Sequence, residues 1–188
     1  MQTMDGHHLI LGELTDFITG ESLKDTHDER YRQKLARLLV ESRGYRKADI
    51  IPRCELQVAA GDHKRALIRV DFKVLLSGRA CMIIKYGPGS LVTRQRPSLA
   101  ASRLLESYQI PFVVVTNGET ADILAGATGK VISSGLETIP SRTDLRQLTA
   151  SVTFGGISRE RAEMESRILY AYEVDGCCPC DDSVCRLE

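Results

Sequence analysis

The sequence has no net charge to draw it to a polyanion: 25 Lys and Arg are balanced by 25 Asp and Glu among 188 residues. Any site for nucleic acid must therefore be a local feature rather than a property of the whole surface. There is no run of ~18 apolar residues, which excludes a membrane-spanning helix. Residues 1–8 are polar and lack the basic and apolar regions of a signal peptide, so a cytoplasmic location is expected. No G-x-x-x-x-G-K-[ST] loop occurs, which excludes a P-loop nucleotide-driven motor. Internal repeats and low-complexity linkers are also lacking. The length suits one domain with a substantial core.

What is present reads as a mixture of helices and strands. Residues 8–18 form a short extended arm ahead of Gly20. Thr26 and Glu29 have the spacing of a capping box, and Tyr31, Leu35, Leu38 and Leu39 recur at helical spacing as far as Gly44. That pattern predicts a helix over residues 27–43. Strands are predicted from Ile51 to Ala59, Leu67 to Leu76 and Arg79 to Tyr86, the last two joined by Ser77-Gly78 as an antiparallel hairpin.

Pro97 suits the first turn of a helix reaching Tyr108. Phe112 to Thr116 reads as a strand buried on both faces, and Asn117-Gly118 leads into a further strand from Ala121 to Ala125. Helices follow from Ser141 to Leu148 and from Ser158 to Tyr172, the second with an apolar stripe of Met164, Ile168, Leu169 and Tyr172. This order implies an α/β fold, a mixed sheet flanked by helices.

The residues that carry chemistry lie between 69 and 85. Asp71 and Lys85 fall on the two strands of the expected hairpin, an acid and a lysine brought across one turn. The position two before the lysine is Ile83, where a metal-dependent nuclease needs a second carboxylate. Glu29 heads the first helix, and Val113-Val114-Val115-Thr116-Asn117-Gly118-Glu119 is an apolar strand ending in a T-N-G-E turn.

Together these segments resemble the N-terminal nuclease-like domain of type I restriction enzyme R subunits, within the PD-(D/E)xK superfamily, from Asp28 to about Val131. The resemblance implies a restriction-endonuclease-like core, and the chain is read as an arm (1–25), that core (26–150) and a C-terminal helix with a cysteine-rich tail (151–188). It also implies Mg²⁺-dependent phosphodiester hydrolysis. Asp71 matches the first acid, Lys85 the lysine and Glu29 the helix glutamate, with Asp71 and Glu29 as metal ligands. Ile83 replaces the second acid, and Glu55 on the preceding strand is the candidate for a migrated carboxylate. DNA is the expected nucleic acid.

Each of these residues also has a structural reading: Asp71 as a polar strand residue between Arg69 and Lys73, Lys85 as a strand-end lysine, Glu29 as a helix cap. From Lys85 to Arg103 there are four basic residues and no Asp or Glu. Arg94, Arg96 and Arg103 there are candidates for phosphate contact beside a Gly87-Pro88-Gly89-Ser90 loop and the helix expected from Pro97. Pairing to surface acids is the alternative.

Cys54 and Cys81 sit in apolar runs and are expected to be small buried hydrophobes. Cys177, Cys178, Cys180 and Cys185 crowd the end of the chain, and Cys177, Cys180 and Cys185 form a candidate zinc or redox set. Three functions are thus compatible with the sequence: a nuclease with an incomplete site, an inactive module that binds nucleic acid or protein, and a metal or redox accessory protein.

Overall fold

The computed structural model describes residues 10–175 and 184–187. Strands β1 (Glu13–Thr15) and β2 (Ser22–Lys24) form a small antiparallel hairpin where a single extended arm was expected. The reason is Asp16. Its carboxylate accepts the amides of Ile18 and Thr19, each at 2.7 Å, and an Arg53 nitrogen at 2.5 Å, which turns the chain and pins the turn to the core.

Helix α1 (His27–Arg37) begins as expected, with the Thr26 hydroxyl accepting the Glu29 amide at 3.1 Å. Glu29 does not complete the capping box. Its carboxylate turns along the helix instead, accepting Gln33 Nε2 at 2.8 Å. A π-helical turn (Leu38–Ser42) extends α1 to Gly44, whose φ of +74° ends it.

The three expected strands are β3 (Ile50–Ala59), β4 (Arg65–Leu76) and β5 (Arg79–Tyr86). Ser77 and Gly78 have φ of +50° and +77°, the pair of positive values that a two-residue turn of this hand requires. Helix α2 (Val92–Leu104) starts five residues before Pro97, which lies inside it, and ends short of Tyr108. The helix N-terminus thus adjoins the Gly87–Ser90 loop itself.

Strand β6 (Phe112–Thr116) is buried throughout and runs parallel to β5. It turns into β7 (Ala121–Ala125) through a compact set of local bonds: Asn117 Oδ1 accepts the amides of Glu119 and Thr120, and Thr116 Oγ1 accepts that of Gly118. Gly118 has φ +89° and a Tyr31 ring carbon 2.4 Å from where a Cβ would sit, so the motif requires glycine. Strand β8 (Val131–Ser134), helices α3 (Arg142–Thr149) and α4 (Arg159–Tyr170), a second π-helical turn (Ala171–Asp175) and strand β9 (Val184–Leu187) complete the described chain.

The seven strands β3-β4-β5-β6-β7-β8, with β9 added on β4, make one mixed sheet. Helices α2 and α4 cover one face, over Val70, Ile83, Val113 and Val115. Helices α1 and α3 cover the other, over Phe72, Ile84, Val114 and Ile123. Cys54 and Cys81 are buried, one in each cluster.

Alternate residues of a strand should share a face. Ala66, Ile68 and Val70 of β4 join the α2/α4 side, yet Phe72, Val74 and Leu76 join the α1/α3 side. The neighbouring β3 changes side in step, between Ile50 and Cys54. Arg53, with φ +51°, sits at that change, and Asp71 sits at the matching point of β4.

On the α2/α4 side the expected stripe of α4 is corrected. Met164 and Tyr172 are 49% and 54% exposed, while Leu169 and Tyr170 are buried. The helix is rotated to bury Glu165, whose carboxylate meets Arg96 and Arg103 of α2, each at 2.6 Å, and Arg161 at 2.7 Å. The Arg96 contact is a close ion pair without an aligned hydrogen bond. Burial alone would raise the Glu165 carboxyl, but the three guanidinium groups reverse this and hold it below the usual glutamate value.

A depressed carboxylate pKa stabilises the fold above its unfolded value and loses that contribution as pH falls through the folded one. Glu165→Gln should therefore cost about 3 kcal/mol at neutral pH, with the deficit shrinking below pH ~4. Urea unfolding across pH checks this; a pH-independent deficit would contradict it.

Candidate active site at a fork in the sheet

A strand has two edges, and β3 occupies one edge of β4 along nearly its whole length. On the other edge Phe72–Leu76 pair with β5, while Arg65–Ile68 pair with β9. Arg69, Val70 and Asp71 lie between the two ladders, where β5 has diverged and β9 has not yet joined.

Backbone groups stranded in such a gap need partners. Asp71 and Lys85 supply them. Asp71 Oδ2 accepts the Tyr86 amide at 2.8 Å, and Lys85 Nζ donates to the Arg69 carbonyl at 3.1 Å. Each side chain crosses from its own strand to the other's backbone, so the acid and the lysine stitch the fork.

Their remaining bonds diverge. Asp71 Oδ1 accepts Arg32 Nε at 2.6 Å, and Arg32 Nη1 lies 3.5 Å from Glu29. The Arg32 guanidinium also lies over the Tyr86 ring, 5.3 Å from its centroid. Tyr86 in turn stacks on Tyr31 and donates its hydroxyl to Asp28 at 3.1 Å. Burial disfavours the charged form of Arg32, and the charge and hydrogen bond of Asp71 more than offset this, so its pKa is raised.

Lys85 is drawn the other way. Its ammonium donates to Glu173 at 2.9 Å, on the π-helical turn after α4. Val174, next in sequence, packs in the α2/α4 cluster, whereas α1 packs on the opposite face. Glu29 and Asp71 are therefore gathered around Arg32 on one side of the sheet, and Lys85 is paired with Glu173 on the other.

The residues present do not fit a Mg²⁺ site. Both Asp71 oxygens are engaged, Ile83 is fully buried among apolar neighbours, and Glu55 is exposed on β3. Among the described residues no three His, Cys, Asp or Glu side chains converge as a metal would need. Cys177 and Cys180 lie outside the described residues; Cys185 is exposed on β9.

The expected phosphate-binding arginines also separate. Arg96 and Arg103 are committed to Glu165. Arg94 remains on the loop, donating to the Pro88 carbonyl at 3.3 Å and packed so closely on Gly87 that a Cβ there would lie 2.3 Å from its guanidinium carbon. Asn117 Nδ2 ties this loop to the T-N-G-E turn through the Gly89 carbonyl at 3.3 Å.

Arg32, Glu165 and Glu173 went unnoticed in the sequence. Only Arg32 left a sign there, its i,i+3 spacing from Glu29 on a predicted helix.

Compared with known families, residues 27–140 match the model of the type I restriction enzyme R protein N terminus. That is well over half of the chain. The protein belongs to the type I restriction enzyme R N-terminal family. This R-protein N-terminal domain has the α/β, restriction-endonuclease-like fold, with its mixed sheet flanked by helices and a further helix at the C-terminal side. No curated protein and no solved structure matches the chain. Membership gives the domain a nuclease-like, nucleic-acid-related character. Among its described residues no helix is long and apolar enough to cross a membrane.

Restoring a carboxylate at position 83 should not restore a site. Ile83→Glu places an acid in a closed apolar cluster with Val70, Leu99 and Val113, and should destabilise the fold by roughly 3–5 kcal/mol. Denaturant unfolding measures the loss, and a plasmid-nicking assay should show no metal-dependent activity in the variant. A stable Ile83→Glu protein that nicks DNA with Mg²⁺ would overturn this description of the fork.

Proposed function

We propose that this domain binds DNA without hydrolysing it, as a nuclease-fold module whose catalytic positions serve structure. The observation that carries the reading is that Asp71 and Lys85 each hold an intramolecular partner, Arg32 and Glu173, on opposite faces of the sheet. Hydrolysis in this fold class needs the acid and the lysine to address one phosphate together. Neither is available for that here.

Family membership supports nucleic acid as the partner. The start of α2 with Arg94 beside it supplies a helix terminus and a cation suited to a phosphate, although in the preceding loop the Gly87 amide is bonded to the Thr116 carbonyl. With zero net charge, the interaction is weak and local. Cys177 and Cys180, on which the metal or redox reading through the tail rests, lie outside the described residues.

Two measurements on the full chain test this. Fluorescence anisotropy with a DNA duplex should show binding that weakens with salt, is unchanged between EDTA and Mg²⁺, and has its salt slope reduced by about 1 in Arg94→Ala. Incubation with supercoiled plasmid and Mg²⁺ or Mn²⁺ should leave the plasmid intact. Nicking that requires metal and disappears in Asp71→Ala would refute the non-hydrolytic assignment, and no retention of DNA at low salt would refute the binding assignment.

A further inference from the structure

We infer that the guanidinium of Arg32 is the resident cation of the fork, held between Glu29 and Asp71 where a divalent metal would otherwise be required. The inference deepens the non-hydrolytic reading above by naming what replaces the metal.

Arg32 reaches Asp71 at 2.6 Å and Glu29 at 3.5 Å, so one positive charge is shared between the two acids that the family resemblance assigns to metal binding. It is fixed in place by its own helix and by the Tyr86 ring beneath it. Its side chain is 24% exposed and that of Asp71 10%, which leaves little room for a hydrated ion beside them.

Charge balance argues the same way. Asp28, Glu29 and Asp71 line this side of the fork, and each is tied to Arg32 or to the Tyr86 that Arg32 covers. Two carboxylates facing one another across a partly buried gap repel unless a cation lies between them. The guanidinium removes that strain, and it stays protonated across the accessible pH range. It does so with planar, directional N–H bonds in place of the octahedral oxygen shell that Mg²⁺ demands. The fork is thus complete without metal. Addition or removal of divalent cations should therefore leave the fold unchanged.

Titration of Mn²⁺ followed by electron paramagnetic resonance of the free ion tests the inference, because it reads occupancy and not activity. The wild-type protein should leave Mn²⁺ free at ~1 mM, whereas Arg32→Met, checked for folding by circular dichroism, should take up one ion with a Kd of about 1 mM. Adding Asp71→Asn to Arg32→Met should abolish that uptake.

Mn²⁺ binding by the wild type that Asp71→Asn removes would overturn the inference. So would a folded Arg32→Met protein that binds none. Should Arg32→Met fail to fold, Arg32→Lys keeps a positive charge at the same place and is expected to fold and still exclude Mn²⁺; uptake by it would equally overturn the inference. DNA retention by the wild type, measured alongside, separates this result from the binding assignment: loss of one leaves the other standing.

Discussion

The edge of β4 that β5 and β9 share is the constraint from which the rest of the site follows. Two strands cannot meet end to end on one edge without leaving backbone groups between them, and a buried amide or carbonyl without a partner costs about 1–3 kcal/mol. Asp71 and Lys85 meet that need at the point where β4 also changes the face it presents to the core. Once they do so, their second bonds are dictated by what lies on each side: Arg32 of α1 for the acid, Glu173 for the lysine. The acid and the lysine of the hairpin thus each make a hydrogen bond with the backbone of the other strand.

Much of the fold was legible because its signals are local. The Ser77-Gly78 turn, the apolar run of β6 and the Thr26 cap each depend on a few adjacent residues, and the T-N-G-E turn is held almost wholly by bonds within its own segment. Elements that depend on distant partners were not. Strand β9 is four residues long and is a strand only because β4 offers an unpaired edge. The rotation of α4 away from Met164 reflects three arginines gathered by Glu165, two of them more than sixty positions earlier on α2. The change of face at Arg53 and Asp71 has no sequence signature, since periodicity assumes that a strand keeps its sides.

The candidate site divides along the same line. Asp71 and Lys85 could be placed on neighbouring strands from the hairpin alone, but the direction of each side chain depended on α1 and on the segment after α4. Arg96 and Arg103, attractive as phosphate ligands in a stretch without acids, found their counter-charge in tertiary structure. The domain keeps the shape of a nuclease while its polar residues hold the sheet together, and the loop around Arg94 stays open at the surface.

The claim on which this account rests is that Arg32 and Asp71 form a buried, coupled pair, and a double-mutant cycle measures that directly. Unfolding free energies of the wild type, Arg32→Met, Asp71→Asn and the double variant should give a coupling of about 1–3 kcal/mol. Additive effects, with a coupling below about 0.5 kcal/mol, would mean that the two side chains do not hold each other and would contradict the account.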